Sequence, residues 1–257
     1  MENPVIIITG ASSGIGAATA RRLAREGVRL TLAARRQDRL ESVSKEVKSL
    51  GSESLVVRTD VTLRDDIYHM VQAILERWGR IDVLLNNAGM GNYGKLVELD
   101  LDRVRTNINI NLVAMIECAQ AVLPIMLKQK SGHIIHTSSM VGLVALPDLT
   151  IYCASKFGVF GFSDSLRREL RNTGVHVSTF CPGYTPSELT PTLKAHAEGR
   201  PDAPRVLGLM PIEYVADQLA HLTYHPRRLV IIPKSWRLLV LVAYLFPGIA
   251  DLLVDKF

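Results

Sequence analysis

The chain holds 257 residues, 47% of them hydrophobic and 21% charged, with a formal net charge of +5. That length fits one large α/β domain with a substantial core. The basic excess is dispersed, and its densest run, Arg21 to Arg36, is broken by apolar positions, which argues against a nucleic-acid partner. The three cysteines, Cys118, Cys153 and Cys181, lack metal-ligand spacing and sit among apolar neighbours, as reduced buried thiols do. The first apolar stretch ends at a glycine turn without a basic leader, so no secretion signal is expected and the expected location is the cytoplasm.

In chain order, Val5 to Ile8 reads as a strand, Thr9 to Gly16 (TGASSGIG) as a glycine-rich turn, and Ile15 to Glu26 as a helix. Glycines there let the backbone bend sharply and approach a ligand. The helix start offers free N–H groups and a partial positive charge, which suits a pyrophosphate. The spacing Gly10, Gly14, Gly16 is not GxGxxG, and no lysine follows, as a P-loop would need. Val28 to Ala34 is a second strand, ending at Arg35 and Arg36. Arg39 to Leu50 is a helix with Leu40, Val43, Val47 and Leu50 on one stripe, stopped by Gly51. A third strand, Leu55 to Val57, runs to Asp60. Leu63 to Trp78 is helical up to Gly79, and Val83 to Leu85 is a fourth strand entering Asn86, Asn87, Ala88 and Gly89.

The second half keeps the alternation. Leu101 to Lys128 reads as one long helix that Pro124 bends near its end. His133 to Thr137 is a strand followed by Ser138 and Ser139, Ile151 to Arg171 a helix, and Val175 to Phe180 a strand broken by Cys181, Pro182 and Gly183. Residues 184 to 210 show no clean period, as lid loops often do. Pro211 to Tyr224 reads as a helix and Leu229 to Ile232 as a last strand. Short connections and strand–helix alternation predict a Rossmann-like, doubly wound parallel sheet with helices on both faces. One domain is expected over residues 1 to 234, with an apolar extension from 235 to 257.

In such a sheet the ligand lies at the carboxyl ends of the strands. Six successive strand ends here carry polar or glycine-rich residues, which predicts a dinucleotide site. Arg35 points to the cofactor: a free ribose is usually held by an acidic side chain at the second strand end, yet no carboxylate occurs before Asp38. A guanidinium suits a 2′-phosphate, so NADP(H) is expected over NAD(H). Arg36 also reads as a solvated arginine at a helix entry. Tyr152 and Lys156 are four residues apart and share a helix face. An ammonium beside a phenol favours phenolate, which would fit the tyrosine for proton exchange with an alcohol or carbonyl oxygen.

Taken together and in this order, TGASSGIG, Asn86 to Gly89 (NNAG), Ser139 in SSMVG, YCASK from Tyr152 to Lys156, and the PG of Pro182 and Gly183 resemble the short-chain dehydrogenase/reductase family over roughly residues 4 to 232. The family's asparagine best matches Asn111, near Asn107 and Asn109 in the same helix. The resemblance implies that Tyr152 donates a proton in carbonyl reduction and that Lys156 binds the nicotinamide ribose and lowers the tyrosine pKa. It implies further that Ser139 hydrogen-bonds the substrate oxygen and that Asn111 supports a proton-relay water. The cofactor contacts expected on this basis are Gly10, Ser12, Ser13, Gly14, Ile15, Gly16, Arg35, Arg36, Asp60, Val61, Asn87, Ala88, Gly89, Tyr152, Lys156, Pro182 and Gly183. Ser187 stands where the family carries threonine and is not expected to contact the cofactor.

The substrate wall expected from Val141, Leu143, Val144, Leu146 and Tyr184 favours an apolar carbonyl or alcohol compound, with Lys194 and Arg200 as the groups that would reach a carboxylate. An alternative is a catalytically weak nucleotide-binding regulatory or structural member of the family. A homodimer or homotetramer through the two long helices is expected. The apolar stretch Leu238 to Ala250 is too short to span a bilayer and is interrupted by Pro247 and Gly248. It is expected either to pack on protein or to lie on a membrane surface as a peripheral contact.

Overall fold

The computed structural model describes residues 3–186 and 210–254. Seven strands form one parallel sheet in the order β3-β2-β1-β4-β5-β6-β7. They are β1 (Val5–Thr9), β2 (Arg29–Ala34), β3 (Glu53–Arg58), β4 (Val83–Asn86), β5 (Gly132–Thr137), β6 (Val175–Pro182) and β7 (Leu229–Ile232). The strand order reverses at β1, which pairs with β2 on one side and β4 on the other. The crevice above that switch point is where such sheets bind ligands.

Alternating side chains of each strand build two cores. Ile6, Ile8, Leu30, Leu32 and Leu85 pack against α1 (Gly14–Ala24), α2 (Gln37–Ser49) and α7 (Ile212–Tyr224). Val5, Ile7, Leu84 and Ile134 face the other way, against α3 (Arg64–Trp78), α5 (Ala114–Gln129) and α6 (Thr150–Glu169). The strands therefore read as continuous apolar runs, since neither face of the sheet meets water. Each large side chain so buried contributes about 1.5–3 kcal/mol. Gly79 ends α3 at φ 70°, a left-handed cap that glycine adopts without strain.

Two expectations are corrected. The segment Leu101 to Lys128 is not one regular α-helix. It comprises α4 (Leu101–Ile108), a π-helical turn (Asn109–Val113) and α5, so its interruption lies well before Pro124. This continuous stretch is, by length and composition, apolar enough to cross a membrane, but Cys118, Val122 and Met126 pack it onto the sheet as a core helix. The second correction is that β6 continues through Cys181 to Pro182 instead of breaking after Phe180.

The C-terminal extension forms two short helices, α8 (Trp236–Leu245) and α9 (Pro247–Val254). Trp236 and Val240 pack it beside Met140, Leu143, Cys181 and Ile231 of its own domain.

Candidate active site

The glycine turn is shaped by contacts that exclude side chains. Gly10 sits at φ 69°, and a Cβ there would lie 3.0 Å from the Ala88 Cα. A Cβ on Gly16 would collide with the Gly10 carbonyl. Helix α1 starts immediately above, and Ser13, in extended conformation at its N-cap, makes no capping bond with its side chain. First-turn N–H groups thus remain uncapped by that hydroxyl, as anion binding at a helix start requires. The hydroxyls of Ser13 and Ser12 instead accept hydrogen bonds from Arg36 Nη2 at 2.7 Å and 3.1 Å. Arg36 therefore lies across the glycine turn and is not the solvated side chain that the sequence also allowed. Arg35 is exposed at the same strand end.

The NNAG stretch is tied to the end of β1. Thr9 Oγ1 accepts from the N–H groups of Asn87 and Ala88 at 2.9 Å and 3.0 Å, and Asn87 Nδ2 donates to the Thr9 carbonyl. Asn86 donates to the Met115 carbonyl at 2.7 Å and so anchors α5. Beyond β3, Asp60 accepts from the Thr62 N–H and hydroxyl. Burial acts to raise its pKa, but those hydrogen bonds and the charges of Arg35 and Arg58 hold it below the ordinary carboxylate value. Val61 is buried beside it. At the end of β6, the Gly183 N–H donates to the Ile232 carbonyl at 2.8 Å.

The two serines after β5 separate as strand alternation requires. Ser138 is buried, and its hydroxyl donates to the Lys156 carbonyl at 2.9 Å. Ser139 remains partly open, and its hydroxyl hydrogen-bonds Tyr152. Lys156 is buried, with Nζ donating to the Thr137 carbonyl at 3.0 Å and lying 5.7 Å from the centroid of the Tyr152 ring. Burial pushes the Lys156 ammonium down to about 8.

Tyr152 departs from the sequence expectation. Burial pushes its phenol up to about 12, while the Ser139 hydrogen bond acts in the opposite direction. The expected lowering by Lys156 is not among the causes of this shift; desolvation of the phenolate dominates it. The phenol is therefore fully protonated near neutrality.

The π turn brings Asn111 inward. Its Oδ1 accepts from the Met90 N–H at 2.8 Å, and its Nδ2 lies 2.8 Å from the Met90 carbonyl and 3.2 Å from Ser155 Oγ. Ser155 in turn donates to the Tyr152 carbonyl at 2.8 Å. A Cβ on Gly89 would stand 3.0 Å from Asn111 Oδ1 and 3.7 Å from Lys156 Nζ. The backbone is thus bare where NNAG, Asn111 and Lys156 converge. A nicotinamide nucleotide fits these residues: an uncapped helix start with two hydroxyls and a guanidinium at one end, and a bare backbone beside an ammonium and a phenol at the other.

Comparison with known proteins identifies the family. Residues 4–198 match the family model described as short chain dehydrogenase. The chain belongs to the short-chain dehydrogenase/reductase family. An uncharacterised oxidoreductase of Listeria innocua is 38% identical over 228 residues, covering 85% of this chain and 92% of that protein. A short-chain dehydrogenase/reductase from Burkholderia phymatum in complex with NAD aligns with a TM-score of 0.85 at 28% identity, covering 96% of this chain and 95% of the other. A single-residue variant of the actinorhodin polyketide ketoreductase with NADPH aligns with a TM-score of 0.83 at 29% identity, covering 90% of this chain and 96% of the other.

Several residues of this short-chain dehydrogenase were not flagged by sequence reasoning. Thr9, Ser155 and the backbone of Met90 position the site; Thr9, inside TGASSGIG, and Ser155, inside YCASK, carried a local signal, and Met90 carried none. Of the expected substrate wall, Val141 and Leu143 are buried, Leu143 in the cluster that anchors the tail, while Val144 and Leu146 are half-buried. Most of the loop 184 to 210, with Ser187, Lys194 and Arg200, lies outside the described residues. Cys118 and Cys181 are buried free thiols, and burial pushes both up to about 12, so they stay protonated and inert.

Proposed function

We propose that this short-chain dehydrogenase is an NADP(H)-dependent reductase of ketones or aldehydes on an apolar substrate, such as a steroid, retinoid, acyl or aromatic carbonyl compound. The observation that carries the reading is the Tyr152 phenol hydrogen-bonded by Ser139 and lying beside the Lys156 ammonium. A neutral phenol is the form that can donate a proton to a carbonyl oxygen in the reductive direction. The nicotinamide supplies the hydride when bound. Tyr152 gives its proton to the carbonyl oxygen as negative charge develops there, and Ser139 donates a hydrogen bond to the same atom. Lys156 holds the nicotinamide ribose and favours the phenolate left behind. Asn111 fixes the Met90 backbone and, on this reading, supports the water that returns a proton. Intact Tyr152, Lys156, Ser139 and Asn111 speak against a purely regulatory nucleotide-binding role.

The choice of NADP(H) rests on the end of β2. Arg36 lies on Ser12 and Ser13, Arg35 stands beside it, and no carboxylate precedes Asp38. Removing a charge-assisted hydrogen bond costs about 1.5–3 kcal/mol, or roughly 10- to 100-fold in affinity. Arg36→Ala and Arg35→Ala are each expected to weaken NADPH binding by at least tenfold while moving NADH less than threefold. Direct titrations with equal losses for both nucleotides would remove the basis for this choice. The substrate class is read by NADPH consumption with steroid, retinoid, acyl and aromatic carbonyls. Turnover confined to small charged carbonyls would overturn the apolar reading.

The tail supports a peripheral membrane contact. Besides Trp236 and Val240 it carries exposed Leu238, Leu241, Tyr244, Leu245, Phe246 and Ile249, with Lys234 and Arg237 at its start. Exposed apolar side chains with basic residues at one end suit an anionic lipid surface. The full chain is expected to float with phosphatidylserine-containing liposomes and a chain ending at Lys234 to stay behind. Full-length protein remaining in the soluble fraction at every anionic lipid content defeats this reading. Sedimentation of the same two proteins is expected to give at least dimers of both. Monomer at micromolar concentration contradicts self-association through the long helices, and dissociation on truncation assigns the tail face to a second copy.

A further inference from the structure

The helix that carries Asn111 holds a second buried amide. Asn107, one turn earlier in α4, is fully buried, an unusual position for a side chain that prefers water. Its Nδ2 donates to the Met90 carbonyl at 3.2 Å, and its Oδ1 lies 3.1 Å from Asn111 Nδ2. Asn111 Oδ1 faces the Met90 N–H, so Asn111 Nδ2 must face Asn107, the Met90 carbonyl and Ser155. That nitrogen has two hydrogens for three acceptors, and of the two side chains among them Asn107 also holds the Met90 carbonyl by a bond of its own.

We infer that Asn107 is a positioning residue for the reaction proposed above, acting through Asn111 and Met90 on the crevice where Gly89 and Lys156 meet. An apolar side chain at 107 would fill the same space, but it would release one hold on the Met90 carbonyl and take one acceptor from Asn111 Nδ2. The chain of bonds runs from Asn107 to Asn111, to Ser155 and to the carbonyl of Tyr152. It therefore ends on the residue whose phenol donates the proton. Small displacements of reacting groups cost about tenfold to a hundredfold in rate. The inference rests on the proposed reductase activity, but the clamp itself is measurable without it.

The test uses the full chain with Asn107→Leu and Asn107→Asp. In the cofactor-free protein, amide hydrogen exchange at Met90 is expected to accelerate at least tenfold in Asn107→Leu. With NADPH and the best carbonyl of the panel, kcat is expected to fall about tenfold to a hundredfold, with KM for NADPH within threefold. Asn107→Asp keeps the acceptor for Asn111 and, while protonated, a donor for Met90. Its kcat is expected close to wild type at low pH and to fall as the carboxyl ionises, a limb absent from the wild-type profile. Unchanged Met90 exchange or wild-type kcat in Asn107→Leu overturns the inference. If Asn107→Leu does not fold, the Asn107→Asp profile decides, and a profile parallel to wild type overturns it. A wild-type protein that reduces no carbonyl on the panel refutes the proposed function instead, and Met90 exchange then still reports on the clamp.

Discussion

Tyr152→Phe is expected to lower turnover by about 10²- to 10⁴-fold, the usual range for loss of a general acid. The substitution keeps the ring beside the Lys156 ammonium and removes only the hydroxyl that Ser139 bonds. NADPH affinity is therefore expected to stay within threefold of wild type. The effect should appear in kcat and kcat/KM together, as it does when an interaction made only in the transition state is removed. Stopped-flow measurement of NADPH oxidation separates this from slow product release. Hydride transfer at the wild-type rate in Tyr152→Phe rules out the assignment of the proton donor.

A second large effect is expected from acid. His133 and His136 lie on β5 and are both buried. Ser178 Oγ accepts from the Arg227 N–H and lies 2.7 Å from His133 Nε2, while Nδ1 faces the Thr223 carbonyl at 3.4 Å. Ser163 Oγ donates to the Val159 carbonyl and accepts from His136 Nδ1 at 2.8 Å, leaving His136 Nε2 without a partner among the described residues. A proton on His136 Nε2 would face no acceptor among the described residues. Burial pushes His133 down to about 4 and His136 down to about 3.

Because the folded values are depressed, the unfolded chain binds more protons between about pH 6.5 and those values. Stability is full above about pH 6.5 and falls as the pH drops. At pH 5 each ring is expected to cost on the order of 2 kcal/mol, and the pair about 4 kcal/mol. Urea unfolding at pH 7.5 and pH 5.0 measures the loss. The double variant His133→Gln, His136→Phe is expected to show a much flatter dependence. The same pH dependence in both proteins would mean that other groups govern acid unfolding.

Much of the fold was legible because it is written in local periods. The strands of this sheet are apolar throughout, the helices carry apolar stripes, and glycines punctuate their ends, as at Gly79. The motifs TGASSGIG, NNAG and YCASK also pointed to one end of the sheet, where the structure brings them together. What was not legible depends on partners distant in sequence. The π turn at 109–113 coincides with bonds from Asn107 and Asn111 to Met90, 17 and 21 residues away. Whether Arg35 or Arg36 crosses the glycine turn is decided by the direction of side chains at the end of β2, which composition does not reveal. The Tyr152 pKa depends on desolvation, and the four-residue spacing to Lys156 carries no information about that. In the tail, an apolar stretch was plain, but only the fold shows which of its faces Trp236 and Val240 turn inward.

The central claim, hydride transfer from a nicotinamide to a carbonyl carbon in this crevice, is tested most directly with NADPH carrying deuterium at both C4 positions. The full-length protein is incubated with the labelled nucleotide and the carbonyl panel, and the alcohol product is examined by mass spectrometry. One deuterium per product molecule is expected on the carbinol carbon, with Tyr152→Phe giving at most a hundredth of the wild-type yield in the same time. NADPH that binds tightly while no alcohol forms from any carbonyl, or alcohol that forms without deuterium, contradicts the account.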